Sequence, residues 1–142
     1  MRIWTVLMAM LAAMPALAAE DVRQLVKLPP AAEATFRQDM RDNIAAISQI
    51  VALLAEGKIK ESGAVADEKL GVGVMGRHRK LPVEARPGPH LPEAMHQLNM
   101  QNHFAGNDYA RAAASGDRDK ALAALSAITS GCTACHLSYR IR

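Results

Sequence analysis

Aromatic side chains make up only 4% of the 142 residues: one Trp, two Tyr and two Phe. Ala, Leu, Ile and Met therefore have to build the interior, which suits helices and suits strands poorly. Nucleic acid is excluded as a partner on the same ground, because there is no concentrated basic stripe interleaved with stacking residues. Cysteine is equally scarce, with two in all, at positions 132 and 135. In an exported chain such a pair is either a small disulfide loop or a cofactor attachment site. An excess of either charge is small as well: 17 Lys and Arg against 14 Asp and Glu leave a formal net charge of +3. No internal repeat, low-complexity tract or alternating strand pattern is present.

Long apolar runs are missing except at the start. Arg2 precedes the run Ile3 to Met14, Pro15 breaks it, and Ala16-Leu17-Ala18 offers the small residues a signal peptidase reads. The run is too short to cross a ~30 Å hydrocarbon core as a stable helix, so a cleaved signal peptide is preferred to a membrane anchor. Residues 1–18 are read as the signal peptide, with cleavage after Ala19 as the alternative. Residues 19–142 are read as one exported, periplasmic domain with no membrane span. A chain of that size buries roughly two thirds of its unfolded surface, enough for one modest core.

Four stretches carry helical signals. The first follows Pro29-Pro30 and runs to about Glu56, with Gly57 as its stop. Phe36, Met40, Ile47, Ile50, Val51 and Leu54 give it an apolar face. The second spans about Ala64 to Lys80, weakened by Gly71, Gly73 and Gly76. The prolines at 82, 87, 89 and 92 then impose a loop. The third helix begins at Pro92 or Glu93 and ends near Ser115-Gly116. The fourth is capped by Asp117, and Leu122, Leu125, Thr129, Cys132, His136 and Tyr139 form its inward stripe.

Cys132-Thr133-Ala134-Cys135-His136 is a C-x-x-C-H sequence, the attachment signature of c-type haem. Two thiols at this spacing add to the two vinyl groups of the porphyrin, and the adjacent imidazole reaches the iron. The cofactor expected is one covalent haem c. A dithiol redox pair is the first competitor. It belongs at a helix N-terminus beside a strand, whereas this motif lies near a helix C-terminus with no strand apparent. A zinc site is the second, and it lacks a second pair of ligands.

Gly131 to Arg140, at the C-terminal end, resembles the haem motif of the cytochrome c-prime family. The likeness extends through Phe104 and the Ser115-Gly116-Asp117 turn to the first helix. It implies an all-α fold, an antiparallel four-helix bundle with the haem-attachment motif on the C-terminal helix. It also implies a basic residue one helical turn after His136, which is Arg140 here. A dipole-complementing C-terminal Arg is the plainer reading of that residue.

Family members place a first-helix residue over the iron, and Phe36 to Asn43 is the corresponding stretch. Met40 is the only methionine of that helix, and Met40-Arg41-Asp42-Asn43 is similar to the low-spin relatives, in which a Met ligates the iron. A thioether suits haem iron and raises its potential. Core filling is the competing role. Arg37 and Arg41 are candidate partners of the haem propionates, or part of a solvated face. His96, Met100 and His103 share one side of the third helix and read as a surface or interface stripe. His78 and His90 flank the basic loop with Arg77, Arg79, Lys80 and Arg86, a loop able to steer an acidic partner.

The resulting expectation is a single-electron carrier with no chemistry on a substrate, served by redox partner proteins. The alternative is a five-coordinate haem that captures NO or CO, with Met40 only covering the site. A homodimer through the first two helices is a further expectation of the resemblance.

Overall fold

The structure, a computed structural model, describes residues 20–142. The signal-peptide expectation and its cleavage point lie outside the described residues. Four helices account for most of the fold: α1 (Pro30–Ala55), α2 (Ile59–Lys69), α3 (Glu93–Ala114) and α4 (Arg118–Ser138). Three single 3-10 turns lie between α2 and α3. Two short strands, β1 (Gln24–Leu25) and β2 (Tyr139–Arg140), pair in parallel.

The helix boundaries follow from local chemistry. Pro30 occupies the first position of α1, where a missing N–H costs nothing. Gly57 ends that helix in the left-handed region at φ +75°, which a side chain would resist. Asp117 caps α4, its carboxylate accepting from the backbone N–H of Asp119 at 3.0 Å and of Lys120 at 3.1 Å. The second helix differs from expectation: it begins at Ile59 and stops at Lys69 instead of running from Ala64 to Lys80. Buried Ile59 anchors the earlier start. The later stretch is lost because its glycines withhold helix propensity, and because Asn107 draws the chain aside by accepting from the Val72 N–H at 2.8 Å.

Each helix packs on its neighbour in sequence, α1 on α2, α2 on α3, α3 on α4. The main core joins Ile50 and Leu54 to Tyr109, Leu125 and Ile128. Glycines permit the close approaches: a Cβ on Gly63 would meet that of Ala113 at 2.9 Å, and one on Gly106 would meet the Leu70 carbonyl at 2.9 Å. Buried Tyr109 and Ser62 join across α3 and α2 by a 2.7 Å hydrogen bond.

Two expected core residues are instead exposed, Val51 and Leu122. Each stands at the margin of the packed face, about 100° round its helix from Ile50 on α1 or Ala121 on α4 and about 60° from Leu54 or Leu125. Thr129 and His136 are exposed with Leu122, so the buried face of α4 is Ala121, Leu125 and Ile128. By length and composition α4 could cross a membrane, and it is the one such helix among the described residues. In this fold it lies along α3.

Candidate functional site

α1 and α4 approach each other less closely than neighbouring helices do. Between them lies a cavity of about 590 Å³. Phe36, Met40, Ile44 and Ile47 of α1 form one wall, and Ile128, Gly131, Cys132, Cys135 and His136 of α4 form the facing one. Met95, Leu98 and Asn102 of α3 supply the third side. The lining is predominantly apolar. At the rim, Ile44 is 64% exposed and Leu137 71% exposed, large apolar surfaces that water solvates poorly.

The motif residues are held from two directions. A Cβ on Gly131 would lie 2.6 Å from Asn102 Oδ1, so a larger residue there would push the Asn102 side chain aside. Asn102 Nδ2 donates to Cys132 Sγ at 3.7 Å, and its buried Oδ1 has no partner. At the other end, β1 straps the exit of α4. Val26 N–H donates to the Arg140 carbonyl at 2.8 Å, Arg23 reaches the His136 carbonyl at 3.4 Å, and buried Val26 packs with Phe36 and Met95 in a cluster that Cys135 and Tyr139 join.

Cys132 and Cys135 are half-buried, and His136 stands exposed at the cavity edge. Burial pushes the Cys135 thiol up, with the adjacent Cys132 adding to the effect. That is the reverse of the lowered thiol pKa on which dithiol redox enzymes depend. A strand, β2, does lie beside the motif, contrary to expectation. It follows the helix, however, so the cysteines still sit at the negative end of the macrodipole. Among the described residues no three His, Cys, Asp or Glu side chains converge as a metal-binding group, so Cys132, Cys135 and His136 line one cavity without meeting at one point.

The other expected site residues divide. Phe36 and Met40 line the cavity. Arg41 lies at its edge, bonded to Gln38 at 2.7 Å. Arg37 is tied to Glu33 at 2.9 Å and is absent from the lining. Arg140 is not one helical turn beyond His136, because α4 ends at Ser138 and Arg140 belongs to β2, where Asp21 pairs with it at 3.4 Å.

His96, Met100 and His103 are not a plain surface stripe; they line a second cavity of about 260 Å³ beside the first. The face of α3 that meets the larger cavity is the adjacent one, Met95, Leu98 and Asn102, at helical steps of three and four. That spacing was readable in the sequence but was overshadowed by the neighbouring histidines. No protein-family model, curated protein or solved structure matches the chain.

Proposed function

We propose that this protein is an exported mono-haem c-type cytochrome of the c-prime kind, an antiparallel four-helix bundle that carries single electrons in the periplasm. The observation that carries the reading is the cavity between α1 and α4, which brings Met40 to the wall opposite Cys132, Cys135 and His136. Its volume lies within the range of cofactor pockets, roughly 300–1,000 Å³. Its apolar lining, its exposed apolar rim and a pair of half-buried thiols suit a porphyrin attached at its edge.

In this reading Cys132 and Cys135 hold the haem by thioether bonds, His136 provides the nitrogen ligand, and Met40 provides the sulfur ligand from the facing helix. When bound, haem supplies a one-electron iron couple, and a thioether ligand raises its potential. Gly131 leaves room for the Asn102 side chain that donates to Cys132, and the β1 strap fixes the C-terminal end of the helix that bears His136. The apolar walls lower the polarity around the group.

A second reading, gas capture at a five-coordinate iron, is favoured by one feature. Met40 also borders the smaller cavity, which gives its flexible side chain room to withdraw. The Met40→Ala variant separates the two. Under electron transfer with Met ligation, the oxidised parent is low-spin with a near-infrared His–Met band, and the variant turns high-spin, falls in potential and binds CO readily. A parent that is already high-spin would replace this reading with gas binding.

A further inference from the structure

The smaller cavity holds more positive charge than its own chain answers. Arg77, Arg79 and Arg86 of the loop line it, with His78, His96 and His103. Asp39 is the one carboxylate on its wall, and it is already engaged. His78 Nε2 lies 2.9 and 3.0 Å from its two oxygens, and Arg77 Nε lies 3.6 Å away. None of the ion pairs among the described residues involves Arg79 or Arg86. The Arg86 Nε is buried and finds no acceptor.

A guanidinium N–H withdrawn from water without an acceptor is costly, and a carboxylate removes that cost by a charge-assisted bond. The planar fork of Arg is suited to carboxylates in particular. At about 260 Å³ the cavity admits a small group and not a second large cofactor. It also shares Phe36, Met40, Asn43, Leu91 and Asn99 with the larger cavity, so the two spaces meet at the residue proposed as the sulfur ligand.

We infer that the smaller cavity is a carboxylate-binding site, with Arg86 as its central donor and Arg79 as its second cation. Its occupants are the propionates of the haem assigned above, and in that respect the inference rests on the proposed function. The alternative source of the same chemistry is a small free dicarboxylate. Arg37 is spent on Glu33 and takes no part.

The test uses the exported protein as purified, its Arg86→Gln and Arg79→Gln variants, and Arg118→Gln as a control at the exposed start of α4. Resonance Raman spectra report the propionate bending band, mass reports haem attachment, and calorimetry reports succinate binding. With propionates in the site, the band shifts in Arg86→Gln and in Arg79→Gln but not in Arg118→Gln, attachment is unchanged, and the parent gives no heat with succinate. With a free carboxylate in the site, the band stays fixed, succinate binds the parent, and Arg86→Gln weakens that binding by about tenfold or more. Either result supports a carboxylate site. A fixed band with no succinate binding overturns it, and attached haem in that sample leaves the larger cavity's assignment standing. Should the purified chain carry no haem, the succinate titration alone decides, and binding sensitive to Arg86→Gln sustains the site.

Discussion

Replacing Ser62 by Ala is expected to cost more stability than replacing Tyr109 by Phe, although both remove the same hydrogen bond. The Ser62 hydroxyl has one proton, and it donates that proton to the Ile59 carbonyl at 2.6 Å. In the 2.7 Å contact between the two hydroxyls, Tyr109 is therefore the donor and Ser62 Oγ the acceptor. Both side chains are 0% exposed. Tyr109→Phe takes away the donor and leaves Ser62 bonded to Ile59, a loss of about 0.5–1.5 kcal/mol. Ser62→Ala strands a buried phenol without an acceptor, about 1–3 kcal/mol, offset only by a few tenths from the better helix propensity of Ala. The double variant removes both partners and should fall short of the summed losses by roughly 1 kcal/mol. Urea unfolding followed by helical circular dichroism measures all three. Burial pushes the Tyr109 phenol up from 10.0. The unfolded chain thus ionises first, so stability is full below pH 10 and falls as pH rises through it; Tyr109→Phe should lose less there. A Tyr109→Phe variant less stable than Ser62→Ala by 1 kcal/mol would refute the donor assignment.

Gly106→Ala should destabilise despite the ~1 kcal/mol of helix propensity it gains, because its Cβ would press on the Leu70 carbonyl at 2.9 Å, and overpacking costs about 1–3 kcal/mol. A thermal midpoint equal to or above the parent's would contradict this. At low pH the strap should loosen. The Arg23 side chain bonded to Asp21 lowers that carboxyl from 3.8 to about 2, so its contribution is complete above pH 3.8 and disappears as pH falls through 2. Protection of the Val26 amide, taken against the intrinsic exchange rate at each pH, should fall over that window and, in Asp21→Asn, already at neutral pH; unchanged protection in the variant would show that Asp21 does not hold the strap.

The parts of the fold set by local chemistry were legible in the residues. Pro30, Gly57 and Asp117 mark helix ends where backbone groups need either a fixed φ, a left-handed residue or a side-chain acceptor, and the structure has its ends there. The parts set by distant neighbours were not. The second helix stops at Lys69 because Asn107, on another helix, captures the Val72 amide. The β1–β2 pairing is two residues long and joins segments more than a hundred residues apart, too brief for any periodicity to reveal. At the site, the C-x-x-C-H residues stood out by type and spacing, and Met40 by the resemblance of its helix to the low-spin relatives. Asn102, Gly131 and the cation-rich second cavity did not, because their roles depend on what faces them across the fold.

The central claim is that Cys132 and Cys135 bind one haem covalently. The most direct measurement is the mass of the exported protein, with its colour after acid extraction, for the parent and for the Cys132→Ser, Cys135→Ser double variant. The account predicts a parent heavier than its cleaved chain by one haem that survives extraction, and a double variant that loses its colour on extraction. A parent with the mass of the bare chain, or a double variant that keeps its haem through extraction, would contradict it.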